Sequence, residues 1–171
     1  NSTISMWGDF AANTGAWNTA NASFILYGTV TSANMPTGLT SIKNLELDTD
    51  VGNGILGMSV ALTVSGDLVI DAGQTLTTNQ FELISSGELI NNGTIALNTG
   101  AGDKLTIQGD VTAAGTWTTA ATTDLEITNG TIGFAIPAGV TALNTISIDR
   151  PGQIIAHAAA LTLQTTCTVT S

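Results

Sequence analysis

The chain has 171 residues, 43% of them hydrophobic and only 9% charged, and its three basic residues face 13 acidic ones for a net charge of −10. Three cations cannot compensate a phosphate backbone, so nucleic-acid partners are excluded, and the same deficit argues against an anionic membrane surface. No apolar run approaches the roughly 18–20 residues of a membrane-spanning helix, and Cys167, the only cysteine, leaves no internal disulfide and no cysteine-based metal cluster.

Small and β-branched residues dominate, and these suit strands and tight turns better than helices. Asn1 starts without a charged and apolar leader, so any signal peptide is expected to be already removed or to lie upstream. In chain order, alternating apolar and polar segments start at Ile4-Ser5-Met6 and recur at Leu45-Glu46-Leu47-Asp48, Leu62-Thr63-Val64 and Leu105-Thr106-Ile107. They continue at Leu125-Glu126-Ile127, Ile146-Ser147-Ile148 and Leu161-Thr162-Leu163. Such alternation predicts strands with one buried face. Between them stand the turn signals Asn53-Gly54, Asn92-Gly93, Asn129-Gly130, Pro137-Ala138-Gly139 and Pro151-Gly152. No 3.6-residue apolar period is sustained without Gly or Pro, so no helix is predicted.

Two repeats are nested in this pattern. Ile4 to Ala12, followed by Trp17, returns as Leu105 to Ala113, followed by Trp117, at an offset of 101 or 100 residues. Leu39 to Asp48 returns as Val140 to Asp149, so residues 1–70 resemble residues 102–171. Inside the long period, apolar-x-apolar-x-Gly-Asp-apolar occurs with Gly8-Asp9, Gly66-Asp67 and Gly109-Asp110. These intervals count about three and two steps of about 20 residues. Short strands on that ruler predict an all-β fold, a single continuous parallel β-solenoid (β-helix) over 1–171 with about eight coils. The alternative is a pair of immunoglobulin-like β-sandwich domains, which explains a period near 100 residues but not the shorter one.

At Trp7-Gly8-Asp9-Phe10, Ile42-Lys43-Asn44-Leu45-Glu46-Leu47-Asp48 and Leu62-Thr63-Val64-Ser65-Gly66-Asp67-Leu68-Val69-Ile70 the chain resembles the repetitive β-solenoid regions of large secreted bacterial surface proteins and adhesins of the Bacteroidetes type. The resemblance is one of style and period over most of the chain. It implies an extracellular stalk, filament or adhesin segment at the cell surface, without catalytic residues.

Candidate chemistry is sparse. Glu46 and Asp48 lie two apart in one strand and share a face at a spacing open to a glycosidase pair, but a solvated outer face is the favoured reading, since Leu45 and Leu47 supply the inner one. Asp48-Thr49-Asp50-Val51-Gly52-Asn53-Gly54 invites a calcium reading, but the matching Asp149-Arg150-Pro151-Gly152 loses the second carboxylate and a turn explains the Gly and Asn. His157, the only histidine, sits in an alanine-rich strand that suits packing better than catalysis. Cys167 is expected inward as a small buried hydrophobe. Trp7, Trp17 and Trp117 are expected to fill or cap the core, with sugar stacking as the competing role.

Thr-x-Thr at 29, 75, 116, 166 and 168 raises an ice-binding face, which needs the motif once per coil in one column. The intervals do not suggest one. The Gly-Asp acids are likewise expected to skip coils rather than stack. Asn21-Ala22-Ser23, Asn92-Gly93-Thr94 and Asn129-Gly130-Thr131 match the glycosylation sequon, although turns account for the two Asn-Gly cases.

We therefore expect no catalytic, cofactor-binding or metal-binding residues and a non-enzymatic structural or adhesive role, with a carbohydrate-binding or polysaccharide-degrading β-helix as the alternative. The expected partners are copies of the chain stacked end to end, or flanking repeats, with surface glycans a further possibility. Both ends of the sequence run straight in strand alternation, without a capping element to cover their unpaired backbone.

Overall fold

The computed structural model describes residues 2–7, 17, 19, 21–27, 33–48, 53–157 and 159–170. Among these every element is a strand and every ladder is parallel. A tandem sandwich, whose sheets are antiparallel, is thereby excluded. The chain winds as a β-solenoid of about seven turns with three strand columns.

Sheet I stacks β4 (Ser41–Ile42), β7 (Leu62–Val64), β10 (Glu82–Ser85), β13 (Lys104–Ile107), β16 (Asp124–Thr128), β18 (Ala142–Asp149) and β20 (Thr162–Thr170). Sheet II stacks β1 (Ser2–Trp7), β2 (Ala22–Tyr27), β5 (Asn44–Asp48), β8 (Leu68–Ile70), β11 (Leu89–Asn91) and β14 (Val111–Ala113). Sheet III stacks β3 (Ala33–Asn34), β6 (Ile55–Gly57), β9 (Thr75–Thr77), β12 (Thr94–Leu97) and β15 (Thr116–Thr119). A two-stranded ladder of β17 (Phe134–Ile136) and β19 (Ile155–His157) stands apart.

In the regular turns the chain passes from sheet I to II to III and back. Parallel neighbours in register point equivalent side chains the same way, so inward aliphatics stack into columns. Leu62, Leu83, Leu105, Leu125 and Ile146 form one such column on sheet I, all at most 3% exposed. Leu45, Leu68, Leu89 and Val111 stack on sheet II, and Leu56, Leu76, Ile95 and Trp117 on sheet III. Each fully buried side chain of this size contributes about 1.5–3 kcal/mol. The three columns meet along the axis as one continuous core.

The long repeat does not return to the same side of the prism. Ile4 and Met6 lie in β1 of sheet II, whereas the matching Leu105 and Ile107 lie in β13 of sheet I. Leu45 and Leu47 of β5 and their counterparts Ile146 and Ile148 of β18 are divided in the same way. Five turns along sheet I carry Leu62 to Cys167. A 101-residue step falls short of that by about one side.

Corners between sheets I and II are tight. Gly66, Gly87 and Gly109 stack in successive turns, and a Cβ on Gly87 or Gly109 would collide with the carbonyl oxygen of the glycine below. Only glycine permits that approach.

Candidate functional site

Glu46 and Asp48 project from the outer side of β5 between the buried Leu45 and Leu47, so the shared face predicted for them is present. Burial pushes the Glu46 carboxyl above its ordinary value, and the charges of Asp48 and Asp71 push it the same way. Asp50, the second acid of the calcium reading, lies outside the described residues, as do the side chain of Trp7 and the pair Gly8-Asp9. Among the described residues no group of three or more His, Cys, Asp or Glu side chains is placed to hold a metal ion.

Trp117 is fully buried in β15, its ring 6.0 Å from that of Phe134. Trp17 is half-buried with its ring 6.0 Å from Phe24. Both pack against the core, as expected from their matched places in the sequence. His157 is partly buried at the end of β19, opposite Ile136 of β17.

Cys167 corrects its expectation. It pairs in register with the buried Ile146 and so takes an inward column position, but it is exposed. No described strand lies on the far side of β20 to cover it.

The Gly66-Asp67 and Gly109-Asp110 pairs skip a turn, as expected from their interval, and Gly87-Glu88 fills the turn between them. A signal for it was available in Leu83-Ile84-Ser85-Ser86-Gly87-Glu88-Leu89, had Glu been allowed for Asp and the buried Ser85 for the second apolar residue. The acids bond from turn to turn and not locally: Asp67 accepts from the Glu88 N–H at 3.4 Å. Asp110 accepts from the N–H groups of Thr131 (2.5 Å) and Ile132 (3.0 Å) and from the Thr131 hydroxyl (2.7 Å). The Thr131 hydroxyl, then the two N–H groups, hold the Asp110 carboxyl below its ordinary value.

Two further polar centres had no sequence motif. Asp103, fully buried between β12 and β13, accepts from the Thr78 hydroxyl (2.5 Å), the Thr99 hydroxyl (2.8 Å) and the N–H groups of Gln80 (2.8 Å), Thr99 (2.7 Å) and Gly100 (2.8 Å). Burial opposes its ionisation, but these donors together outweigh burial and hold its carboxyl below the ordinary range. Arg150, 3% exposed, reaches back to donate to the carbonyls of Ile132 (2.9 Å) and Gly109 and lies 5.6 Å over the Phe134 ring. It bridges the place where sheet II ends and the β17–β19 pair begins. Both groups have the partners of structural staples.

The outer faces of the sheets differ in chemistry. Sheet I carries Glu82, Lys104, Asp124 and Glu126, with Lys104 Nζ at 2.9 Å from Glu82 and 2.8 Å from Glu126. The outward positions of sheet III carry no charge. One column there runs Ile55, Thr75, Thr94, Thr116 and its neighbour Asn34, Gly57, Thr77, Ala96, Thr118. The Thr-x-Thr motifs at 75 and 116, whose interval argued against a shared column, are two turns apart in one column, with offsets of 19 and 22 residues through Thr94. Unequal corner lengths hid this in the sequence.

No family model, no curated protein and no solved structure matches the chain.

Proposed function

We propose that the chain is a non-enzymatic structural segment of an extracellular β-solenoid rod, joined to further turns end to end, either in a longer array or by association with another copy. The observation that supports this reading best is β20. Its nine residues continue the register of sheet I, with Leu163, Cys167 and Val169 placed over Leu143, Ile146 and Ile148. Val169 is 66% exposed and Ile154 beside it 80%. A further parallel strand laid on that edge satisfies its free backbone groups and covers these apolar side chains. β20 itself carries no charged side chain, so no like charges are set against each other at this edge.

Sedimentation velocity and electron microscopy over a concentration series test the association, with reductant present because the exposed Cys167 thiol would couple two copies covalently. Concentration-dependent rods are expected, and Val169→Lys should suppress them without lowering the melting temperature. A strictly monomeric, dispersed particle at the highest concentration overturns the stacking reading.

A further inference from the structure

We propose that the outer face of sheet III binds ice, through a two-column lattice of threonine hydroxyls and methyls. The inference is independent of end-to-end stacking, because this face runs along the side of the rod and not across its end.

Three observations carry it. The first is spacing in two dimensions. The ladders β6–β9, β9–β12 and β12–β15 run in register without a bulge, so Thr75, Thr94 and Thr116 fall in one row and Thr77, Ala96 and Thr118 in the next. Parallel strands set the repeat along each row at about 4.7–4.9 Å, and alternate residues of a strand set the rows about 6.6 Å apart. These two lengths lie near the two oxygen repeats of a prism face of hexagonal ice.

The second is the state of the hydroxyls. Those of Thr75, Thr94 and Thr116 make no hydrogen bond to another described residue, so each is free to donate to and accept from water. In the second row, the Thr77 hydroxyl donates to Asn79 at 3.2 Å and the Thr118 hydroxyl to Asn98 at 3.4 Å, which leaves the lone pairs of each to accept from water. Threonine is stiff at χ1, so little rotamer entropy is lost when the lattice water is fixed.

The third is the distribution of charge. A charged side chain keeps its own tightly bound hydration shell, which disrupts an ice-like layer. The Lys and acidic residues of the strands described above lie on sheets I and II, and the outward positions of β6, β9, β12 and β15 hold none. A flat crystalline polysaccharide is the competing partner for a regular face. It is less suited because sugar rings are held by exposed aromatics, and the one aromatic in these strands, Trp117, is turned inward and fully buried. Each hydroxyl contact is weak, and attachment comes from many contacts made at once by a preordered surface.

The test uses the full chain with ice as the probe. Partition into a slowly growing ice hemisphere and thermal hysteresis by nanolitre osmometry are measured for the unmodified chain and for Thr94→Tyr, which places a bulky ring at the centre of the lattice. The unmodified chain is expected to enter the ice, and Thr94→Tyr to lose about tenfold or more of the hysteresis, as expected when simultaneous contacts are broken. Thr116→Lys, at an exposed position, should show the same loss and serves if the tyrosine variant fails to fold, as judged by circular dichroism. Ser147→Tyr on the outer face of sheet I should retain full activity. Exclusion of the unmodified chain from ice, activity unchanged in both threonine variants, or equal loss in Ser147→Tyr overturns the proposal. Binding to microcrystalline cellulose or chitin without binding to ice overturns it in favour of a polysaccharide.

Discussion

Sheets I and III rest on equivalent inward columns, Leu62-Leu83-Leu105-Leu125 on one and Leu56-Leu76-Ile95-Trp117 on the other, and both carry outward threonines, yet their outer faces differ in charge. Sheet I carries a ladder of carboxylates about a lysine, and sheet III carries threonine rows with no charge. The fold constrains only the inward residue of each alternating pair, which must fill a shared core. The outward residue is free to vary with what the surface meets. Stability should therefore follow the inward positions alike on both sheets, and function should follow the outward positions of one.

The largest effect sharpens that equivalence. Leu83→Ala on sheet I and Leu76→Ala on sheet III each empty a fully buried position flanked above and below by its own column. Each is expected to cost about 3–5 kcal/mol, because stacked neighbours in register cannot collapse into the gap. Equilibrium urea unfolding measures both. A cost at Leu76 less than half that at Leu83 would mean that sheet III is loosely packed, and the symmetry of the core would fail.

Next comes the corner that joins the two sheets. Asp103→Ala leaves donors from Thr78, Gln80, Thr99 and Gly100 without their acceptor at a corner where Asp103 and Thr78 are themselves fully buried. The expected loss is roughly 2–3 kcal/mol, since hydrogen bonds to a charged group are involved. The same carboxylate sets a pH dependence. Its folded pKa lies below the unfolded value, so its stabilisation is fully present above the ordinary aspartate range and is lost as pH falls below about 4 through the depressed folded value. Urea midpoints taken between pH 6 and pH 2.5 should fall more steeply for the unmodified chain than for Asp103→Ala. Parallel curves would show that the carboxylate is not the group responsible.

The fold class was legible in the sequence because alternation is a local signal, and the Leu-Thr-Val-Ser-Gly-Asp phrase at 62–67 displays a strand and its corner together. Which side of the prism a strand occupies was not legible. An inward aliphatic is required on every side, so β1 and β13 look alike in sequence while standing in different sheets. Corner lengths are set by stacking and vary between turns, which is why Thr75, Thr94 and Thr116 align at offsets of 19 and 22 residues that no fixed ruler reveals. Asp103 and Arg150 had no motif because their partners lie up to 25 and 41 residues away. Cys167 was correctly given an inward register, but exposure depends on whether a further turn lies above it, and alternation within one strand carries no information on that.

The smallest effect returns to the charged face. Lys104 joins Glu82 on one neighbouring strand and Glu126 on the other, each partner about one-third exposed. Burial works against the Lys104 charge, but the hydrogen bonds to Glu126 and Glu82 prevail and raise its pKa, while the bond to Lys104 is the main cause that lowers the pKa of Glu82. Pairs this exposed are screened by solvent and contribute about 0.2–1 kcal/mol each. Lys104→Met removes both and keeps much of the aliphatic stem over the sheet, so the net loss should be about 1 kcal/mol at low ionic strength and should shrink as salt approaches 1 M, where screening acts within a few ångströms. For Glu82 the contribution is present above its unfolded pKa and is lost as pH falls through the lowered folded one. Thermal melts of Lys104→Met and of the unmodified chain, compared at low and high salt, read this directly. Curves that stay equally separated would mean that the difference is not a screened charge effect, and that the ion pairs on the outer face of sheet I do not set its stability.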